Sequence, residues 1–324
     1  MSFEQSKWVW MNGECIRWSD ARVHVSAHAL HYGTGVFEGI RCYKTVDGPA
    51  LFRLDDHLTR LFLSAEVHGI ELPYSPDEIE EAVCTTVALN EFESCYVRPI
   101  CYYGSGGLGL HPRYCRVEVA ILAWPWAALL GDESLVGGVR VTVSPWMKFN
   151  SRTLPTTAKA CGQYLNSILA VRDASNRGFD EALLLDECGN IAEGSGENLF
   201  IVSDGRLITN DAASSILLGV TRDTVIEVAR NLGYEVEIAP ISVDRLLGSD
   251  EAFLTGTAAE VAPICEVDGR LIRDGRRGPI TARLQQAFFA ITTGRDRSYS
   301  SWLHPVHYSV VPGVSAGRLS LAGD

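Results

Sequence analysis

Lysine is scarce in this sequence. Only Lys7, Lys44, Lys148 and Lys159 occur in 324 residues, and the remaining basic charge is arginine. A basic excess is also missing: 28 Lys and Arg face 40 Asp and Glu, for a formal net charge of −12. That argues against a binder of nucleic acid or of extended anionic surfaces, while leaving room for local arginine clusters that hold small anions. The nine cysteines are odd in number and no two lie closer than six residues. CxxC zinc and redox motifs are thereby excluded, and free thiols in a reducing compartment are expected. The start, MSFEQSKWVW, has no apolar signal-peptide region. The longest apolar run, residues 119–130, is too short to span a bilayer and contains Pro125. The expectation is a cytoplasmic protein.

Two glycine motifs lack the context that would give them chemistry. Gly104-Ser105-Gly106-Gly107-Leu108-Gly109 fits GxGxxG, but Leu110-His111-Pro112-Arg113 follows instead of the helix whose N-terminus would meet a pyrophosphate. It reads as a mobile glycine loop. Gly313-Val314-Ser315-Ala316-Gly317 fits GxSxG, yet only seven residues remain for the aspartate and histidine that a nucleophile elbow requires.

Among the four lysines, Lys159 stands apart, in PTTAKACGQYL, among small residues and just before an apolar helical pattern. An amine in a tight, dry setting loses its preference for the ammonium form and becomes a nucleophile near neutral pH. That is Schiff-base chemistry. Helices are expected at residues 55–69, opened by Asp55 or Asp56, and at 75–90, where Ser75-Pro76-Asp77-Glu78 is a capping box. A third, running from the lysine stretch to Asn176, should turn Tyr164, Leu165, Ile168 and Leu169 inward. Residues 23–25 and 95–103 read as strands, the latter with Tyr96 and Arg98 on one face. Gly219-Val220-Thr221 opens a further helix with Thr221 as cap, and Thr255-Gly256-Thr257-Ala258-Ala259 is a second turn of small residues. Both offer backbone N–H groups and a hydroxyl to an anion. Glu193 lies at a glycine-rich strand end. The domain boundary falls at a linker, residues 128–138, between a small domain at 1–127 and a larger one at 139–304; residues 305–324 read as a loosely attached tail.

A candidate imine lysine, two phosphate-suited turns, a helix arginine (Arg60) and a carboxylate together suit pyridoxal phosphate. Its aldehyde condenses with lysine, its phosphate needs N–H donors, and its ring nitrogen needs an anion to remain a protonated electron sink.

The segments HALHYGTGVFEGIRCY, YVRP, TAKACGQYLNS, EGSGENLF, GVTRD and GTAAE, in this order, resemble the bacterial branched-chain amino acid aminotransferases, over roughly residues 7–303. The resemblance implies fold type IV, with a small N-terminal α/β domain, a larger pseudo-barrel domain and the cofactor between them. It implies transfer of amino groups from Leu, Ile or Val to 2-oxoglutarate. It assigns the Schiff base and proton shuttle to Lys159. Tyr164 would meet the cofactor's phenolic oxygen, Glu193 the pyridinium nitrogen and Leu217 the ring face. Arg60, Val220, Thr221, Gly256 and Thr257 would hold the phosphate. The substrate α-carboxylate would go to Tyr96 and the Thr257-Ala258 turn, the side chain to Tyr32, Phe37 and Trp126, and a γ-carboxylate to Arg98. Arg41 would have a supporting role at most. A homodimer or larger homo-oligomer is implied, with the loop at 104–110 reaching a neighbouring site, and neither metal, membrane nor nucleic acid. Leu129 departs from the tyrosine common beside the γ-carboxylate, which keeps an (R)-amine transaminase in play, and a D-amino acid aminotransferase is another rival of the same fold. Aminodeoxychorismate lyase is a further relative of the same fold; a non-catalytic binding protein or a hydrolase is the alternative from another class.

Overall fold

A computed structural model of the chain describes residues 6–126 and 134–308. Leu129 and the GxSxG match at 313–317 lie outside the described residues. No helix of the described residues is long and apolar enough to cross a membrane.

Two sheets organise the chain. Alternating apolar residues in the first half pair into an eight-stranded sheet whose centre is the antiparallel ladder of Cys95–Tyr103 and Val117–Trp124. One face is covered by the helices Leu54–Val67 and Pro76–Leu89. Leu54, Leu58, Leu61 and Ala65 recur at helical spacing and bury against Ile40, Val97 and Ile121 of the sheet. The Ser75–Glu78 capping box is present, with Pro76 in the first turn. The first helix is entered differently from the expectation: Arg53 at φ 52° precedes it, and no side chain caps it. GxGxxG proves to be the connection of the central hairpin, with a strand rather than a helix after it.

The second half forms a nine-stranded sheet. Its edge strand Ile191–Gly194 is bridged by Ile191 to Ile241, just beyond the other edge strand Val236–Ile238. The sheet therefore curls towards a barrel whose inside is filled by Val141, Leu183, Ile201, Ile208, Leu254 and Ile264. Its outer face is covered by the helices Val220–Asn231 and Pro279–Thr292 through Phe200, Phe253, Val225 and Phe288. Tyr43 and Phe52 of the first sheet join this cluster, so the two halves share apolar contacts.

Four local expectations change. Residues 23–25 are exposed and form no strand. Helix Tyr164–Asn176 buries Ser167, Ala170 and Ala174, while Leu165 and Ile168 are exposed; small residues face the sheet because the helix lies close to Ala182 and Leu184. Thr221 is not a cap: Gly219 precedes helix Val220–Asn231 and no side chain bonds its first N–H groups. Residues 305–308, expected with the loose tail, are held: Pro305 pairs with Ala50, Val306 is buried and donates to the Pro49 carbonyl, and the Tyr308 hydroxyl donates to the Phe92 carbonyl.

Candidate active site

Lys159 is pinned where the two halves meet. Its backbone N–H donates to Ser64 Oγ of helix Leu54–Val67 at 3.0 Å, its carbonyl accepts from Phe37 N at 3.0 Å, and neighbouring Ala160 bridges Val36. The lysine loop, from the second half of the chain, is thus laid along a strand of the first. Glycine makes this approach possible. Gly33 has φ +68°, and a Cβ there would come within 2.7 Å of Gly162 Cα.

The amine is the centre of a polar line. Lys159 Nζ donates to Tyr164 Oη at 2.7 Å, and it lies 5.1 Å from the Phe37 ring centroid. Burial, then the charge of Arg60, lowers the Lys159 pKa to about 8. Burial, then Glu193, pushes the Tyr164 phenol up to about 12. At pH 7–8 the pair is therefore a protonated phenol beside an amine able to shed its proton.

Arg60 and the unbonded first turn of helix Val220–Asn231 stand at one end of the cleft. They share its lining with Thr221, Gly256 and Thr257. Arg60 is aimed by a group not anticipated from sequence. Glu38, fully buried, accepts from Arg60 Nε at 2.6 Å and Nη2 at 2.9 Å, and pairs with His57 Nδ1 at 2.8 Å. Burial opposes its charge, but Arg60 and His57 hold the Glu38 carboxyl far below the usual carboxylate range. Arg60 Nη1 donates to the Leu218 carbonyl at 3.0 Å, tying the arginine to the turn before the helix.

Glu193 lines the same cleft as Leu217 and Lys148. Its Oε2 accepts from Asn198 Nδ2 at 3.1 Å and Leu217 N at 3.0 Å, while Oε1 lies 2.6 Å from Lys148 Nζ. Lys148 carries no signal of a role in the sequence. The signal for Asn198 was its place in EGSGEN; none pointed to Lys148.

A second cavity opens beyond Lys159, lined by Phe37, Tyr96, Arg98, Trp126, Thr257 and Ala258. Tyr96 and Arg98 alternate to one face of strand Cys95–Tyr103 as expected. A Cβ at Gly39 would overlap the Tyr96 hydroxyl, so glycine leaves that oxygen its space. The Arg98 guanidinium sits 4.6 Å from the Phe37 centroid and 5.3 Å from that of Tyr96. Its Nη2 reaches the Tyr96 hydroxyl at only 3.4 Å, and its buried Nε has no partner among the described residues. Tyr32 is not brought here. It is half-exposed, and its hydroxyl donates to the Leu108 carbonyl at 2.7 Å, clamping the glycine loop. The reason is local: residues His28–Tyr32 form one helical turn closed by Gly33, which turns the ring away.

The residues fit an elongated ligand with an anion at one end, a carbonyl at the middle and a basic ring nitrogen at the other. The arginine and helix N-terminus, the amine and the carboxylate line one cleft together. Such a site in a two-sheet fold defines an enzyme that handles amines through a phosphorylated carbonyl cofactor.

The chain belongs to the amino-transferase class IV family, whose model matches residues 35–267. The branched-chain-amino-acid aminotransferase of Pseudomonas aeruginosa is 46% identical over 294 residues, spanning 91% of this chain and 95% of that protein. The crystal structure of the Escherichia coli branched-chain amino acid aminotransferase superposes with a TM-score of 0.92 at 45% identity, covering 94% of this chain and all of that one. The branched-chain amino acid aminotransferase of Thermobaculum terrenum, solved in its PLP-form, is also similar, with a TM-score of 0.87 at 36% identity over 94% and 99% of the two chains.

Proposed function

We propose that this aminotransferase moves the amino group of Leu, Ile or Val to 2-oxoglutarate, with pyridoxal phosphate at Lys159. The observation that carries the reading is the Lys159–Tyr164 pair, in a cleft that Arg60 and Glu193 also line. When bound, the cofactor supplies an amine-reactive carbonyl and an electron-withdrawing ring that stabilises charge at the substrate Cα. The chain supplies everything else. Arg60, Val220, Thr221, Gly256 and Thr257 take the phosphate, Leu217 packs against the ring and Glu193 faces its nitrogen. Lys159 Nζ binds the carbonyl and then carries a proton to or from the substrate Cα; a pKa of about 8 lets it do either near neutrality. Tyr96 and the Thr257-Ala258 turn receive the α-carboxylate.

The two half-reactions need one pocket for an aliphatic and an acidic side chain. Phe37, Trp126 and the aromatic neighbours of Arg98 supply apolar walls, and Arg98 Nε, without a partner among the described residues, supplies a site for the γ-carboxylate. Residues 1–127 and 139–304 act as the two domains, and the site lies between their sheets. The reading includes a homodimer or larger homo-oligomer. Its support is a set of exposed apolar side chains that includes Val25, Leu30, Leu108, Leu110, Tyr114 and Leu165. Tyr32 belongs to that surface, where it would serve a neighbouring copy's pocket.

An amino-donor panel tests the function: L-Leu, L-Ile, L-Val, D-Ala, L-Phe and a chiral primary amine, each with 2-oxoglutarate or pyruvate. The three branched-chain donors should turn over with 2-oxoglutarate. Turnover of D-Ala or the amine without turnover of L-Leu would assign the site to a different donor class.

A further inference from the structure

Lys148 is a cation in the cleft for which the reaction has no use. Its position is defined by its neighbours. The Lys148 backbone N–H donates to the Leu185 carbonyl at 2.8 Å, the preceding Met147 carbonyl accepts from Asn166 Nδ2 at 3.0 Å, and the ammonium rests 4.5 Å from the Phe149 centroid. The Lys148 and Glu193 side chains are 10% and 7% exposed. Their 2.6 Å contact is therefore poorly screened by water.

The carboxylate has a division of labour. Oε2 already has two donors, Asn198 Nδ2 and Leu217 N, whereas Oε1 has Lys148. A protonated ring nitrogen reaching Glu193 from the cleft would find Oε1 the less occupied oxygen, and there it would sit beside the lysine's ammonium. Two cations at one oxygen repel each other in a buried setting. Lysine suits a replaceable partner: its charge is a point at the end of a flexible stem, which can withdraw towards water more readily than a planar, forked arginine.

We propose that Lys148 is a competing counter-ion for Glu193, which balances the charge of that carboxylate in the cofactor-free cleft and, by occupying Oε1, holds cofactor affinity below its maximum. This rests on Glu193 being the partner of the ring nitrogen. Cofactor exchange is then governed by the lysine as well as by the phosphate cradle.

The test titrates the full-length chain, freed of cofactor, with pyridoxal 5′-phosphate, following absorbance and Tm. Lys148→Met should lower Kd by roughly tenfold relative to wild type, because the ring nitrogen no longer meets a rival charge. The cofactor-free variant should melt below the wild type, and its Tm gain on loading should be larger. Lys148→Gln provides the same readout should the methionine variant not fold. Glu193→Gln separates the two levels of the argument. If it leaves Kd and the bound-state spectrum unchanged, Glu193 is not the ring's partner, and the proposal falls with that reading. If it weakens binding while Lys148→Met and Lys148→Gln leave Kd unchanged or raise it, the ring partner stands and the competition is refuted. In the Glu193→Gln background, Lys148→Met should no longer tighten binding.

Discussion

Glu193 and Arg98 are both charged, largely buried side chains that face the cleft, and they are treated in opposite ways. Glu193 has a donor or a cation on each oxygen, from Asn198, Leu217 and Lys148. Arg98 has aromatic faces, one long contact to the Tyr96 hydroxyl and an Nε with no partner among the described residues. A buried donor without an acceptor is unfavourable unless a ligand supplies one. Under the proposed function, the end assigned to the cofactor ring is saturated in advance, whereas the end assigned to two different substrate side chains in turn keeps one donor in reserve. Satisfaction of polar groups thus distinguishes the standing part of the site from the selective part.

The largest test of this division removes its centre. Lys159→Ala deletes the carbonyl anchor and the proton carrier together, so leucine turnover with 2-oxoglutarate should fall by at least about 10⁴-fold. The absorbance near 400–430 nm expected of a pyridoxal-phosphate imine should vanish as well. Normal leucine transamination by this variant would mean that the chemistry lies elsewhere in the cleft.

Arg98→Met sharpens the selective side. It keeps a long apolar stem against Phe37 and removes the charge, so KM for 2-oxoglutarate should rise roughly tenfold to a hundredfold, the worth of a hydrogen bond to a charged group. KM for leucine should change far less, since an aliphatic side chain does not use the guanidinium. Equal changes in both constants would show that Arg98 merely shapes the wall.

This contrast also explains what could be read from residues alone. That Lys159, Glu193 and the two anion-suited turns share one cleft was suggested by residue type at short spacing, an amine among small residues and glycine before a helix, whereas the role of Tyr164 came only from the resemblance. The capping box at Ser75 and the alternation that aims Tyr96 and Arg98 were legible for the same reason, because local geometry fixes them. Glu38, His57 and Lys148 were not. Each acts across a tertiary contact, Glu38 on Arg60 and Lys148 on Glu193, and no sequence period brings those pairs together. Tyr32 lies away from its own chain's cavity because a single helical turn, residues His28–Tyr32, too short to leave a periodic signature, carries it outward. Leu165 and Ile168 were assigned inward on hydrophobicity, yet only alanine and serine fit against the neighbouring strand.

The smallest expected effect concerns proton occupancy, and it tests whether both ends act on the central amine. Burial first, then Arg60, lowers the Lys159 pKa to about 8; Glu38 and Tyr96 oppose the shift, and Arg98 adds to it with a weaker effect than Arg60. Only the neutral amine attacks a carbonyl, so the initial rate of pyridoxal phosphate loading should fall about tenfold per pH unit below the midpoint and level off above it. The stability sign follows from the same shift. The folded pKa lies below that of an unfolded lysine, so the folded state binds fewer protons between the two values. The penalty for a buried ammonium is fully present below a pH of about 8 and is relieved as pH rises through the folded pKa towards the unfolded one. The cofactor-free wild type should therefore gain stability in that window relative to Lys159→Met, measured by denaturant titration at each pH. Arg60→Met should move the loading midpoint upward more than Arg98→Met does. A midpoint near that of a free lysine in the wild type, or a larger shift from Arg98→Met than from Arg60→Met, would break the account, because it would place the controlling charge at the selective end of the cleft.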